Sequence, residues 1–293
     1  MSTRPPIAAP LSDAEVANLL QKKSAWQQAD VIRSTLIALA STIVLFGGMI
    51  LFITRTEGWN AVQQAFFSPP DFKEAWPKVV DGFWLNVKMF LIAEPIILAF
   101  GLLLAVLRLT KNPVLFPLRA FAIGYIDLFR GIPTLLVILM LGFGMPGLRI
   151  DWLPGSPVFW GVTAIILSSA AYTAETFRAG IESIHPSQRA AARSLGLSGT
   201  QAFMHVVLPQ GVRAVVPPLL SGFIALQKET ALVSTIGPLE ATRQAGIYAS
   251  LNFNYTSYLA AAILFIAITI PLTRFTDYLL RRSAALRELG MTA

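Results

Sequence analysis

The side chains with chemistry to do in this sequence are the ionisable groups set inside long apolar stretches: Glu94, Glu175 with Arg178, and Lys228 beside Glu229. A charge held at mid-bilayer costs roughly 2.5 to 3.5 kcal/mol on insertion scales, so such groups face a bundle interior or a wet cavity. Glu175 and Arg178 are three apart on one helix face and read first as a local ion pair. Lys228 and Glu229 are adjacent, about 100° apart around a helix. They offer a donor and an acceptor of opposite charge to a ligand, or they tie their helix to its neighbours, and the sequence leaves both readings open. Glu94 is followed by Pro95 and has no partner nearby in sequence. Lys88 stands near the end of its apolar stretch, where it can snorkel to headgroups. Other chemistry is absent from the sequence: it has no Gly-x-x-x-x-Gly-Lys-Ser/Thr phosphate loop, no His-Glu-x-x-His site and no Ser-His-Asp set. His185 and His205 read as solvated surface residues. With no cysteine there is no disulfide or thiolate-metal chemistry.

The elements that must position these groups are membrane helices. The chain of 293 residues is 55% hydrophobic and 13% charged. Its apolar residues gather in six blocks, about 34–54, 84–107, 121–147, 158–177, 214–240 and 256–273, each near the twenty residues that cross roughly 30 Å of hydrocarbon. Backbone polar groups cannot go unpaired in lipid, and blocks this long and continuous are helices rather than alternating barrel strands. The fold class is all-α and polytopic. Arg and Lys concentrate in alternate connecting segments. Arg4, Lys22, Lys23 and Arg33, then Arg108, Lys111, Arg119 and Arg130, then Arg178, Arg189, Arg193 and Arg213, then Arg274, Arg281, Arg282 and Arg287 fall on one side. Only Arg55, Lys73, Lys78, Arg149 and Arg243 fall on the other. The positive-inside rule places both termini and the segment around 183–213 in the cytosol. The net charge of +7 then reflects topology and contact with anionic lipid, not nucleic-acid binding. No cleavable signal peptide opens the chain, so residues 1–32 read as a cytosolic tail with a capping box at Ser12 to Glu15. Residues 33–81 read as a first helix followed by an outer segment whose Trp59, Trp76, Phe66 and Phe67 anchor at the interface. Residues 82–282 form a five-helix core and 283–293 a tail.

One polar stretch breaks the core. Ser187 followed by Gln188, Arg189, Ala190, Ala191, Ala192, Arg193, Ser194 and Leu195 predicts a short helix capped by Ser187 and ended by Gly196 in a left-handed conformation. Ala191, Ala192, Leu195 and Leu197 give it a small apolar face flanked by Arg189 and Arg193. Nine residues after Gly196 the chain reaches Val206 to Pro209. This pattern resembles the cytosolic Glu-Ala-Ala loop of type I importer permeases of the ABC class, and the Gly-to-Pro spacing fits without a gap. The segments Tyr125 to Pro133, Ala174 to Ile184 and Leu226 to Ser234 are similar to the second, third and fourth core helices of the branch that carries histidine, lysine, arginine, glutamine or glutamate inward. The resemblance covers roughly 200 residues.

The resemblance implies a permease subunit of an ATP-driven, binding-protein-dependent importer of a polar amino acid in the bacterial plasma membrane. It implies no catalysis and no cofactor in this chain, ATP-Mg being held by a separate dimer of ABC ATPase subunits. Further implied partners are a second permease subunit, identical or related, an extracytoplasmic solute-binding protein and membrane lipid. On this reading 187–193 with Leu195, Gly196 and Leu197 couple to the ATPase, and Glu94, Glu175, Lys228, Glu229 and Thr230 line the substrate pathway. One departure stands out: the Glu of Glu-Ala-Ala is Ala190. With Ser187 as cap, position 190 is where a Glu would reach back to the cap's amide, a contact worth about 0.5 to 1 kcal/mol that this sequence forgoes. A rival reading is a secondary transporter using Glu94 or Glu229 as a proton or sodium site, which leaves the polar loop without a purpose.

Overall fold

A computed structural model describes the backbone of residues 13–288 and the side chains of 31–281. The capping box at Ser12 and the last residues of the C-terminal tail lie outside the described residues. The chain divides into two compact units, residues 1–63 and 64–293. In the first, helix α1 runs unbroken from Asp13 to Thr54, so its polar N-terminal part and its apolar span Val31–Thr54 form one rod.

Helix α2 (Trp59–Phe66) leads to α3 (Pro69–Leu109), whose 41 residues make it the spine of the larger unit. At 1.5 Å per residue α3 is about 60 Å long, twice the hydrocarbon thickness. The residues before the apolar block continue the helix because Ala75, Val79 and Phe83 recur every fourth position and bury one face, while Lys73, Glu74, Lys78 and Asp81 take the others. The stretch read from sequence as an outer anchor is therefore helical, with Phe72 stacked on Trp76 at 5.2 Å against the core.

Three storeys of core follow along α3. Ala75, Val79 and Phe83 meet α10 (Ala241–Asn252) and α11 (Thr256–Glu288). Met89, Phe90, Ala93 and Ile97 meet α5 (Thr134–Gly147), α6 (Pro157–Glu182) and α9 (Leu208–Glu229). Leu104 and Ala105 meet α4 (Phe116–Gly131), α6 and α9. Among the described residues five helical segments are long and apolar enough to cross a membrane, and α4 with α5, counted as one broken span, makes a sixth. That pair is not the single rod expected over 121–147. It bends by 101° at Ile132 and Pro133. Proline lacks an amide donor and holds the preceding residue extended, and Ile132 accordingly has φ −106° and ψ 130°.

Between α6 and α9 stand α7 (Pro186–Ser194) and α8 (Gly199–Ala202). A π-helical segment, Phe203–Val207, joins α8 to α9, so helix runs continuously from Gly199 to Ile236. The apolar block at 214 thus begins fifteen residues inside a helix. Pro217 and Pro218 stand in the middle of α9. After Glu229 the helix tightens to a 3₁₀ segment, Thr230–Ile236, which seats Val233 against Gly161 and Ile236 against Gly142. Gly237, at φ 111°, turns the chain out of it.

Close approach of α6 and α9 depends on two glycines. A methyl at Gly180 would sit 2.0 Å from Cγ1 of Val215, and one at Gly211 would sit 2.9 Å from the Ile181 backbone. Gly180→Ala is expected to lower stability by about 1 to 3 kcal/mol through overpacking. Thermal unfolding in detergent measures this, and Val215→Ala in the same chain should recover part of the loss.

Candidate functional site

Three helical stripes line a partly open cavity of about 180 Å³ in the larger unit. Helix α3 contributes Glu94, Ile97 and Leu98. Helix α6 contributes Ser169, Tyr172, Thr173 and Thr176. Helix α9 contributes Pro218, Leu219, Gly222, Phe223, Ala225, Leu226 and Glu229. Each set recurs at three- and four-residue spacing, the condition for sharing one helix face. Gly101 lets α3 and α6 meet closely below this level, since a methyl there would fall 2.7 Å from Thr173.

The walls are apolar or hydroxylic except for the two carboxylates. Ser169 donates its hydroxyl to Glu229 at 3.4 Å. Glu94 has no hydrogen bond or ion pair with another described residue, and no lysine or arginine lines the cavity. Prolines 217 and 218 withhold two amide donors from α9 on the approach to it. An acidic, hydroxyl-lined chamber of this kind suits a ligand that carries ammonium or guanidinium groups.

The structure thus brings Glu94 and Glu229 together and sets the other pathway candidates apart. Lys228 is exposed one residue before Glu229, away from the cavity. Thr230 is fully buried in a network that joins three elements. Asn86 donates to its hydroxyl at 3.0 Å and to Glu240 at 3.0 Å, and accepts from the Ala241 amide at 3.1 Å. Glu240 caps α10 by accepting from the amides of Thr242 and Arg243. Burial raises its carboxyl above the ordinary range, against the pull of these donors. Sequence reasoning passed over Asn86, Glu240 and the whole of α10. The available signal was Gly237 and Pro238 followed by an acidic residue at a helix start.

Glu175 takes the ion pair with Arg178 that its spacing suggests, with Nε donating at 3.0 Å. It also faces Arg108 of α3 at 3.3 Å and Arg130 of α4 at 3.7 Å. Arg178 binds Glu182 as well, and Arg108 approaches Asp127 at 3.8 Å. One carboxylate therefore gathers arginines from three helices at the end of the bundle nearest α7.

Helix α7 begins differently from its sequence reading. His185, not Ser187, is its cap: Nδ1 accepts from the Ser187 amide at 3.2 Å. Pro186 takes the first helical position, where its missing amide costs nothing. Ala190 is then the fifth helical residue, and a glutamate there could not reach the cap, so the capping contact counted as lost does not arise at this position. His185 is solvent-exposed, as its sequence reading has it, and caps the helix from the surface. The C-terminus forms as expected. Gly196 has φ 90°, its amide reaches Arg193 at 3.0 Å, and the Leu197 amide reaches Ala192 at 3.3 Å, closing a Schellman motif. The capping box of the loop lies at Ser198 and Gln201. Ala192 is buried and Leu197 half-buried in the loop's own packing. Arg189, Ala190 and Arg193 line a second cavity, of about 480 Å³, with Glu182 and Phe203. These three residues of α7 are nevertheless exposed, as are Ser187, Gln188, Ala191, Ser194 and Leu195, the last by 83%.

Among the described residues no group of three or more metal-ligating side chains occurs. A many-span helical bundle lining an acidic cavity, with a short amphiphilic helix standing at one end, defines a multi-pass membrane permease. Residues 97–284 match the family of binding-protein-dependent transport system inner membrane components, and the chain belongs to that family of ABC transporter permeases. It is 33% identical to a probable glutamine ABC transporter permease protein, GlnM, of Bacillus subtilis (strain 168), over 69% of this chain and 92% of that one. It is 32% identical to a glutamate/aspartate import permease protein, GltK, of Escherichia coli O6:H1, over 71% of this chain and 94% of the relative. The solved structure of an amino acid ABC transporter with histidines superposes with a TM-score of 0.64 at 32% identity, covering 70% of this chain and 94% of that one.

Proposed function

We propose that the chain is the permease subunit of an ATP-driven importer that receives a polar amino acid from an external binding protein and passes it through the cavity between α3, α6 and α9. The observation that carries this reading is the continuous helix from Gly199 to Ile236, which links the α7 loop to the cavity wall. Any displacement of α7 by an ATPase seated on its outward face moves α9, and with it Pro218 to Glu229. Both termini and α7 lie in the cytosol on this reading, since the arginine-rich segments share that side. Two permeases and two ATPases complete the machine. Reversing a conformational bias of about 1:99 takes about 5.5 kcal/mol of differential binding, so loaded receptor and ATP act together.

The cavity narrows the substrate class. Glu94 and Glu229 meet an α-ammonium and a second positive group, and the Thr173 hydroxyl is available to the carboxylate, those of Ser169, Tyr172 and Thr176 donating to Glu229 and to the carbonyls of Arg130 and Tyr172. An amino acid with a basic side chain, such as arginine or lysine, fits this lining better than an acidic one.

The test is uptake into proteoliposomes containing the permease, its ATPase and its binding protein. Uptake is expected to require internal ATP, and ATPase activity to rise with the loaded receptor. Uptake that persists without ATP under a proton or sodium gradient would overturn the scheme in favour of an ion-coupled carrier.

A further inference from the structure

We infer that this chain holds an anionic phospholipid, by its phosphodiester headgroup, in a basic cavity where α3 ends and α4 begins. The cavity has a volume of about 280 Å³, and its lining includes Arg108, Lys111, Arg119, Ile123, Arg178 and Glu182. Four cations thus face one carboxylate, and that carboxylate is already bound to Arg178. Arg108 and Arg178 are further held by Glu175, which fixes their guanidinium groups in place. Lys111 and Arg119 make no ion pair with any described residue. Counting Arg130, Asp127 and Glu175 with this lining, five cations stand against three carboxylates. The surplus positive charge calls for an anion.

Position selects a lipid over a soluble anion. The span of α3 ends at Leu109, and the bent span that follows begins at Pro113, so the cavity opens at the level where an apolar segment gives way to water. Phosphates of a bilayer occupy that level. On α4, Phe116, Arg119 and Ile123 fall at three- and four-residue spacing, so the face that brings a guanidinium to the cavity also presents an aromatic ring, 64% exposed. Val114 and Phe121, exposed by 82% and 60%, extend the apolar surround. An inorganic phosphate would satisfy the cations and leave this surface in water, whereas an acyl-chain-bearing phosphate satisfies both. The inference needs only the membrane placement of the bundle and is independent of what the permease carries.

Native mass spectrometry of the purified full-length chain, titrated in detergent with phosphatidylglycerol or phosphatidylcholine, tests the site. Wild type is expected to bind phosphatidylglycerol more tightly than phosphatidylcholine. Each cation near an anionic lipid surface is worth about five-fold in affinity, so Lys111→Gln with Arg119→Gln should weaken phosphatidylglycerol binding on the order of 25-fold. Phosphatidylcholine binding should not change, and Arg149→Gln, at a connecting segment on the opposite side, should leave both lipids unaffected. Unchanged unfolding temperature without added lipid shows that the double variant is folded. The proposal is overturned if the double variant binds phosphatidylglycerol like wild type or if wild type does not prefer it. Displacement of the lipid by equimolar inorganic phosphate, or by an acidic peptide, would also overturn it by showing that the acyl chains add nothing.

Discussion

Glu229→Gln is expected to reduce uptake of a basic amino acid by at least thirty-fold while the permease still assembles and still reaches the membrane. The substitution keeps the shape of the side chain and the approach of Ser169, and removes only the charge. Truncating one partner of a desolvated, hydrogen-bonded charge pair costs about 2 to 5 kcal/mol, which spans roughly thirty-fold to several thousand-fold in affinity. Glu94→Gln should act in the same direction, because Glu94 lines the same chamber from α3 and has no described partner whose loss could account for the effect. Initial rates of labelled arginine or lysine uptake, set against a neutral amino acid, provide the measurement. If both variants transport basic and neutral substrates in the wild-type ratio, the two carboxylates are not the recognition groups.

Leu195→Asp is the second large effect, and it acts at α7, ahead of the continuous helix that begins at Gly199. Leu195 is a bulky apolar side chain, almost fully exposed at the C-terminus of α7, immediately before the glycine that closes the Schellman motif. On the docking face proposed for α7 it is the natural anchor, and a carboxylate in its place would be carried unpaired into a partner's groove. Loss of such an anchor costs on the order of 2 kcal/mol or more, about thirty-fold in binding. The expected result is a permease that folds and inserts normally but no longer copurifies with its ATPase and shows no ATP-dependent uptake. Leu195→Met should restore both. Wild-type copurification and uptake in the aspartate variant would place the docking surface elsewhere on the chain.

Much of this machine was legible in the chain alone. Membrane helices announce themselves because lipid tolerates only long apolar runs with every backbone group paired, so blocks near 84–107, 158–177 and 256–273 mark spans directly. Gly196 was equally plain, since a polar helical stretch ending in glycine specifies its own left-handed cap. Glu175 and Arg178 could be paired from their spacing. These are local rules, and local rules survive folding. Tertiary structure decided the rest. Which faces of α3, α6 and α9 look at one another depends on glycine notches at 101, 180 and 211, and no periodicity in a single helix reports its neighbour. Glu229 and Lys228 are adjacent in sequence yet part company, because 100° of helical rotation turns one into the cavity and the other away from it. Thr230 and Glu240 found their partner in Asn86, about 150 residues distant, a contact that exists only once α3 lies against α10. The start of α7 was lost to a proline: Pro186 fits the first helical turn so well that the cap moved back to His185, a residue that local preference does not favour.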